Sequence, residues 1–407
     1  MVGVAGHQLF EPCAIGPVRL RNRTIRAAAF EGMAPGHRPS PALIAYHRAV
    51  AEGGVGMTTV AYAAVEQRGL SFPHQLWIRP EIVGELRGLT DAVHAAGAKA
   101  SIQLGHCGNM AKAAVAGGRA IAPSGRFNLY GPTWPRAMDQ GDIDRVVESF
   151  GRAVELAREA GFDAVEIHAG HGYLISQFLS PATNRRTDAY GGPLARRVRL
   201  LREVMARVTR AARGEVAVLV KTNMRDGFRG GIELAEGIAV ARTLEQDGAD
   251  ALVLSGGFVS RAPMFILRGA MPTAVMSDGL TGPMRAMVRL FGPWLVRPVP
   301  FAENYFLADA LAVMREVRLP LVYVGGAATR AAIDAALGRG FAAVALARAL
   351  IREPAFVRKL AEEEGRTPDC DHCNYCAARI YTTTMACHHR EPPPPRLRRA
   401  LKIVEGA

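Results

Sequence analysis

The sequence predicts an α/β fold, a (β/α)8 TIM barrel with a short cysteine-containing C-terminal extension. Short apolar runs alternate with longer helical stretches along the 407 residues. There are eight such runs, and most are continuously apolar, as expected of parallel strands buried on both faces. Most follow a helical segment that ends in Gly or Pro, for example HAAGAK and REAGFDAV. A doubly wound sheet would place a glycine-rich turn after its first strand, where this chain has EGMAPGH.

The eight candidate strands can be read in chain order. They are TIRAAAF (24–30), VGMTTVA (55–61), AKASIQL (98–104), DAVEIH (163–168), VAVLVK (216–221), DALVLS (250–255), PLVYVG (320–325) and AAVALA (342–347).

Four segments are longer than ordinary loops. They are 105–140, 169–195, 256–300 and 365–407. The first three follow strands three, four and six, so they belong to the face where barrels carry their sites. We therefore expect a barrel over 1–364 and a cysteine-rich extension with a basic tail over 365–407.

The net charge of +13 does not by itself indicate a nucleic-acid partner. Lysine contributes 5 of the 50 basic residues, and the arginines are scattered, apart from RLRRALK near the C-terminus. No apolar run approaches the roughly 20 residues that cross a bilayer. The start, MVGVAGHQLFEPC, lacks a basic segment and a long apolar run. We expect a cytoplasmic protein with no nucleic-acid or membrane partner, and leave open whether it forms a homo-oligomer.

Polar residues and glycines follow the predicted strands and would meet at the mouth of the barrel. Strand seven ends in VGG and strand eight in LAR. The paired glycines Gly325 and Gly326 would expose backbone N–H groups next to Arg348, at the usual phosphate site of a barrel. A simple tight turn is the alternative interpretation of this glycine pair.

Two further strand ends suggest what that phosphate belongs to. Lys221 ends strand five, and a buried lysine needs an anionic or electron-rich partner. Gln103 ends strand three, and its amide can read the edge of a planar heterocycle. A site with a phosphate at one side and a cation and an amide at the other fits flavin mononucleotide (FMN). A lysine near its ring would stabilise the negative charge of the reduced flavin.

The segment EIHAGHGYL ends strand four with His168, His171 and Tyr173. Two imidazoles can hydrogen-bond a carbonyl oxygen and stabilise the enolate that forms when hydride reaches the β-carbon. Tyr173 could then protonate the α-carbon as a general acid. The three side chains are therefore the candidate catalytic residues.

From residue 9 to residue 356 the chain resembles the Old Yellow Enzyme (NADH:flavin oxidoreductase) family, most specifically in EIHAGHGYLISQFLSPATNRRTDAYGGPLARRVRLLREV. The resemblance implies that His168 and His171 hold the substrate and that Tyr173 donates a proton. It further implies a set of FMN-binding positions, which are Ala28, Ala29, Gln103, Lys221, Gly325, Gly326, Ala347 and Arg348.

Three positions depart from the family pattern. Ala29 or Phe30 stands where a threonine or cysteine usually lies near flavin N5. Ala347 replaces the glycine that usually precedes the phosphate-binding arginine. Lys221 replaces an arginine of the best-known members, as in the dienoyl-CoA reductase-like branch.

Four cysteines lie beyond the barrel with the spacing C-x2-C-x2-C-x10-C. They are Cys370, Cys373, Cys376 and Cys387. Relatives in the dienoyl-CoA reductase branch bind a 4Fe–4S cluster with a similar set, so a cluster, a structural zinc and no metal all remain open. We expect the C-terminal nucleotide-binding domain of that branch to be absent.

The leading hypothesis is an ene-reductase. It would pass hydride from NADH or NADPH through FMN to the activated C=C bond of an α,β-unsaturated carbonyl compound. The alternative within the family is a flavin/iron–sulfur dehydrogenase or electron-transfer protein that oxidises an amine or ring. A third hypothesis is a metal-dependent hydrolase with His168 and His171 as ligands. Aromatic residues of the long loops could line a substrate pocket, and core packing or a dimer contact explains them about equally well. They are Phe127, Tyr130, Trp134, Phe258, Phe265 and Trp294.

Overall fold

The computed structural model describes residues 8–128, 133–363, 365–380 and 384–392. Eight parallel strands form a closed barrel in which each strand pairs with the next along the chain and the last pairs with the first. The strands are β1 (Thr24–Arg26), β2 (Met57–Ala64), β3 (Lys99–Gly105), β4 (Ala164–Ala169), β5 (Ala217–Asn223), β6 (Ala251–Ser255), β7 (Leu321–Tyr323) and β8 (Ala343–Leu346). All eight predicted strands and the TIM-barrel class are confirmed.

Helices surround the barrel and bury apolar side chains against the outer faces of the strands. The main ones are α1 (Pro41–Glu52), α2 (Val83–Ala95), α3 (Gln140–Glu159), α4 (Arg199–Ala212), α5 (Leu234–Gln246), α6 (Leu307–Met314), α7 (Arg330–Leu337) and α8 (Phe356–Glu362). Apart from Lys99 at the start of β3, the strand residues are buried, because helices cover the outside and side chains fill the inside. This burial explains the continuous apolar sequences. Gly97 and Gly161 adopt positive φ between α2 and β3 and between α3 and β4, as the helix-ending glycines predict.

The barrel interior is apolar at one end and polar at the other. A hairpin of Cys13–Ile15 and Val18–Leu20 closes the N-terminal end, where Ile15 and Leu20 pack with inward-facing residues such as Leu219 and Val253. Interior positions nearer the C-terminal end carry charged and polar side chains. The fold therefore leaves the C-terminal end for the functional site.

The long segments contribute short helices. They are Ala113–Ala116, Leu174–Leu179, Leu194–Arg197, Pro263–Leu267, Thr273–Asp278, Gly282–Leu295, Arg348–Arg352 and Tyr375–Arg379. Tyr130 and the basic tail 396–402 lie outside the described residues. Among the helices that are described, none has the length and apolar character that crossing a membrane requires.

The described part of the extension packs directly on the barrel. Asn374 Nδ2 donates to the backbone oxygens of Arg268 at 2.6 Å and Ala270 at 3.0 Å. The Met385 amide donates to the Glu31 carbonyl at 2.7 Å. The domain boundary at 364/365 stays a prediction, but these contacts join the extension to the barrel mouth.

Candidate active site

A cavity of about 730 Å³ occupies the C-terminal end of the barrel. Ten of the eleven predicted catalytic and flavin-binding residues line it, namely Ala28, Ala29, Gln103, His168, His171, Tyr173, Lys221, Gly326, Ala347 and Arg348. The exception, Gly325, is not among the lining residues. A Cβ at Gly325 would lie 2.8 Å from the Phe306 side chain and 2.9 Å from the Tyr323 hydroxyl, so close packing explains this glycine.

His168, His171 and Tyr173 form one aromatic group at the end of β4. The His168 ring centroid lies 5.1 Å from that of His171 and 4.5 Å from that of Tyr173. His171 has a positive φ of 59°. In this turn its amide donates to Asn223 Oδ1 at 3.0 Å, and its Nε2 lies 2.7 Å from Ser255 Oγ. Neighbouring strands thus fix the orientation of the His171 ring.

Burial keeps both imidazoles neutral. It lowers the pKa of His171 to about 3 and holds the pKa of His168 well below its usual range, and the nearby charge of Lys221 acts in the same direction. His168 Nδ1 is buried and has no hydrogen-bond partner among the described residues. A buried polar atom without a partner at the edge of a cavity is satisfied when a ligand supplies the hydrogen bond.

A buried carboxylate below this group is the main feature that the sequence prediction missed. Glu166 is buried in the barrel interior. Its Oε1 is 2.8 Å from Lys221 Nζ and accepts a hydrogen bond of 2.6 Å from Gln103 Nε2. Glu166 is therefore the anionic partner that a buried lysine requires. The available sequence signal was the spacing of Glu166 and His168, since alternate residues of a strand share a face.

A second buried charge group supports the β1 loop that carries Ala28 and Ala29. Arg26 is fully buried, lies 2.7 Å from Glu31 Oε1, and donates to the Ala29 carbonyl at 2.9 Å. His47 Nε2 lies 3.3 Å from the same Glu31 oxygen. The sequence pattern placed Glu31 at the mouth of the barrel, because it follows strand one, but it did not assign Arg26 or His47 to the site. Their contacts fix the backbone of Ala29 at the cavity wall.

The predicted phosphate end lies next to the extension. Gly326 has a φ of 81°, and a Cβ there would meet the Tyr305 ring at 2.7 Å. Arg348 Nη1 donates to Asn374 Oδ1 at 2.9 Å, and the Arg348 guanidinium lies 5.6 Å from the Phe301 ring centroid. The extension therefore holds the arginine that we predict to bind phosphate.

The described aromatic residues of this loop set lie outside the cavity lining. Phe127, Trp134 and Trp294 are exposed, whereas Phe258 is fully buried and packs on Phe228. None of these residues, nor Phe265, lines the cavity. The aromatic side chains that do line it are Phe30, Tyr62, Phe72, Tyr173, Phe301, Tyr305 and Phe306. Spacing along the loops could not distinguish these roles, because they depend on how the loops fold over the mouth.

The four cysteines do not form a compact site for one ion. Tetrahedral zinc with four thiolates would need sulfur atoms about 3.8 Å apart. Among the described residues, the compact group of potential metal ligands is Asp371, Cys373 and His388, with ligand atoms within 4.8 Å of one another. Cys370, Cys376 and Cys387 are free thiols outside that group. The 4Fe–4S cluster stays a prediction, and Cys376 also lines the cavity.

The hydrolase hypothesis receives no support from this geometry. A catalytic zinc needs three protein ligands around one point. Within the ranges that the structure describes, no third ligand joins His168 and His171 in such a group.

The cavity residues fit FMN. Small side chains such as Ala28, Ala61 and Ala345 leave room over the barrel interior, while Lys221 and Gln103 present polar atoms from below. Arg348 supplies a cation at the other end. A planar ring with a phosphate tail matches this distribution of apolar surface and charge.

Comparison with known proteins assigns the class. A family model described as the NADH:flavin oxidoreductase / NADH oxidase family matches residues 8–265. The chain belongs to this family, as the Old Yellow Enzyme resemblance predicted. It is an FMN-dependent NAD(P)H oxidoreductase.

Two relatives illustrate the range of the family. A 4,4'-dithiodibutanoate disulfide reductase of Rhodococcus erythropolis is 40% identical over 377 residues, which cover 92% of this chain and 94% of the relative. An NADPH dehydrogenase of Halalkalibacterium halodurans is 36% identical over 268 residues, covering 65% of this chain and 77% of that protein.

Solved structures share the fold. A 2-naphthoyl-CoA reductase superposes with a TM-score of 0.79 at 21% identity, covering 97% of this chain and 58% of that reductase. An Old Yellow Enzyme homologue from Zymomonas mobilis gives a TM-score of 0.72 at 24% identity, covering 96% of this chain and 98% of the homologue.

Proposed function

We propose that the protein is an ene-reductase, which uses NAD(P)H to reduce the C=C bond of a small α,β-unsaturated carbonyl compound. One observation carries the proposal. Two neutral histidines and a tyrosine share the wall of a single cavity with Lys221 and Gln103, and His168 Nδ1 is buried there without a partner among the described residues. This arrangement suits an uncharged substrate whose carbonyl oxygen accepts hydrogen bonds from the histidines.

The chain's own residues would bind and polarise the acceptor. Bound FMN, held by Lys221, Gln103 and Arg348, would supply the hydride chemistry between NAD(P)H and the acceptor's β-carbon. His168 and His171, as neutral hydrogen-bond donors, would stabilise the negative charge that develops on the carbonyl oxygen. Tyr173, beside His168, would donate its phenolic proton to the α-carbon, so that hydride and proton together saturate the double bond.

Lys221 and Gln103 would hold the ring from the barrel side. In the described structure both side chains contact Glu166, which fixes their positions. Prearranged donors lose little entropy when the ring binds. Arg348, oriented by Asn374, would hold the phosphate.

A second candidate function is the reduction of an organic disulfide. It is supported by the Rhodococcus relative, which covers nearly the whole chain at 40% identity. Hydride would reach one sulfur, the S–S bond would break, and the other sulfur would leave as a thiolate. This reaction places no proton on carbon, so it does not need Tyr173 as an acid.

Replacement of Tyr173 by Phe distinguishes the two functions. An ene-reductase should lose about 100-fold in the rate of enone reduction, because the α-carbon acid is missing. Disulfide reduction should change little. Stopped-flow measurement of the pre-reduced enzyme with each acceptor isolates this step from NAD(P)H oxidation. His168→Ala is the matched variant, and it should weaken turnover of the enone without slowing reduction by NAD(P)H. Normal enone reduction by Y173F would rule out the proposed acid.

A further inference from the structure

The helix Gly282–Leu295 directs an apolar stripe away from the rest of the molecule. Leu290, Phe291 and Trp294 follow one another at the spacing of a single helix face. Their exposed fractions are 68%, 56% and 82%, and none of the three lines the cavity. A stripe with this spacing normally packs on a core. Here it forms a contiguous apolar surface, which typically marks an interaction site.

The opposite side of the same helix is anchored to the protein. Val288 and Gly292 are buried, and a Cβ at Gly292 would lie 2.8 Å from the Thr273 side chain. This close approach fixes the helix against the segment Thr273–Asp278. The apolar stripe is therefore the outer face of an anchored helix.

Basic residues outnumber acidic ones around the stripe, where Asp278 and Glu303 flank the segment that carries the arginines. Residues 279–302 contain Arg285, Arg289 and Arg297 and no acidic residue. Arg285 lies 3.3 Å from Asp278 Oδ1. Arg289 and Arg297 are exposed and make no ion pair or hydrogen bond with other residues that the structure describes. Two cations near the stripe are thus available to an anionic partner.

The helix is also part of the cavity wall. Met284, Met287, Val288 and Leu295 line the cavity as well as belonging to the helix. The surface that the helix presents is therefore next to the entrance of the candidate active site.

We propose that the helix Gly282–Leu295 docks the protein on the surface of an anionic lipid bilayer. Trp, Phe and Leu on one face of a helix with arginines on another are typical of helices that lie in the membrane interface. A second copy of this chain is a weaker candidate, since a symmetric contact would set the cationic segment against itself. The proposal replaces our expectation of no membrane partner, which rested on the absence of a spanning segment.

One consequence rests on the proposed function. A docked helix would place the cavity wall at the lipid interface, so the acceptor would belong to a lipophilic class that partitions into the bilayer. The docking itself does not depend on this step and is measured without any acceptor.

The test is co-sedimentation of the full-length, FMN-loaded protein with vesicles. We expect binding to vesicles of phosphatidylglycerol and phosphatidylcholine, weaker binding to phosphatidylcholine alone, and loss of the difference at high salt. Binding that is absent or equal for both compositions would overturn the proposal.

Variants locate the contact. Phe291→Ser with Trp294→Ser should reduce the vesicle partition coefficient at least about tenfold, because two apolar side chains leave the interface. Phe127→Ser with Trp134→Ser removes another exposed aromatic pair and should leave binding unchanged. Arg289→Gln with Arg297→Gln should weaken only the preference for anionic vesicles. None of these residues lines the cavity, so flavin content reports correct folding.

Light scattering tests whether a second copy of this chain, and not a membrane, covers the stripe. If the protein forms a dimer that the Phe291 and Trp294 substitutions dissociate, the stripe is an interface between copies and the membrane proposal is wrong. If the wild-type protein and the Phe291 and Trp294 variant have the same mass in solution, and the vesicle binding above is observed, the membrane proposal is supported.

Discussion

At the scale of single residues, the site depends on buried charges that compensate one another. Glu166 neutralises Lys221 below the cavity, and Glu31 neutralises Arg26 beside the β1 loop. Removing one member of such a pair leaves an uncompensated charge in the barrel. The same pairs hold the side chains that are expected to contact flavin, so stability and binding are linked at these positions.

Glu166→Gln should lower the free energy of unfolding by about 3–5 kcal/mol, because Lys221 would lose its buried partner. Denaturant unfolding of the flavin-free protein measures this change. Glu362→Gln is the control, since its pair with Arg358 is exposed and should contribute under about 1 kcal/mol. A loss equal to that of the control would show that the Lys221–Glu166 contact is not formed.

The neutral histidines predict a pH dependence of stability. The folded protein holds the pKa of His171 at about 3, whereas the unfolded chain has an ordinary imidazole pKa of about 6.5. Below pH 6.5 the unfolded state therefore binds a proton that the native state does not, so the free energy of unfolding falls as the pH decreases toward 3. His171→Gln should flatten this dependence. Unfolding midpoints of both proteins between pH 4 and 8 provide the measurement, and identical slopes would refute the assignment.

At the scale of secondary-structure elements, the strands were predictable and their ends were less so. Buried parallel strands give continuous apolar sequences, which identified all eight. The first was predicted as 24–30 but ends at Arg26. Arg26 donates to Ala29 and pairs with Glu31, and these contacts turn the following residues into a loop. Hydrophobicity alone cannot show where such contacts end a strand.

The site was predictable where it follows strand ends and not where it depends on contacts between elements. His168, Lys221 and Gln103 lie within the last three residues of their strands, so their convergence followed from the barrel. The role of Glu166 depends on its contacts with Gln103 on β3 and Lys221 on β5, which form because these strands flank β4. The aromatic lining was left open for the same reason, since Phe301 and Tyr305 reach the cavity through the folding of a long segment.

The C-terminal extension forms part of the cavity wall, and a truncation measures how much it contributes to FMN binding. Truncation after Glu363 would delete His372, Cys376 and Met385 from the wall and remove Asn374 from Arg348. We expect FMN affinity to fall at least about tenfold, as the loss of a charge-assisted hydrogen bond implies. Fluorescence titration of FMN measures this change.

Two further proteins control that experiment. Truncation after Pro392 removes only residues outside the described structure and should leave FMN affinity unchanged. Asn374→Ala keeps the extension and should weaken affinity in the same direction as the longer truncation. Unchanged affinity in both N374A and the longer truncation would mean that the extension does not support the phosphate end.

At the scale of the whole molecule, one end of the barrel is closed for stability and the other is open for chemistry. The N-terminal hairpin fills the first, while long segments and the extension build walls around the second. Helix Gly282–Leu295 belongs to this wall and faces outward with an apolar stripe. This architecture would place the predicted flavin site, the proposed acceptor site and the proposed membrane contact at the same end.

The most direct test is a crystal structure of the FMN-loaded protein with a bound α,β-unsaturated carbonyl compound. We predict that FMN occupies the cavity between Lys221 and Arg348, and that nitrogen atoms of His168 and His171 lie within hydrogen-bond distance of the carbonyl oxygen. FMN bound elsewhere, or a carbonyl oxygen that contacts neither histidine, would contradict the account.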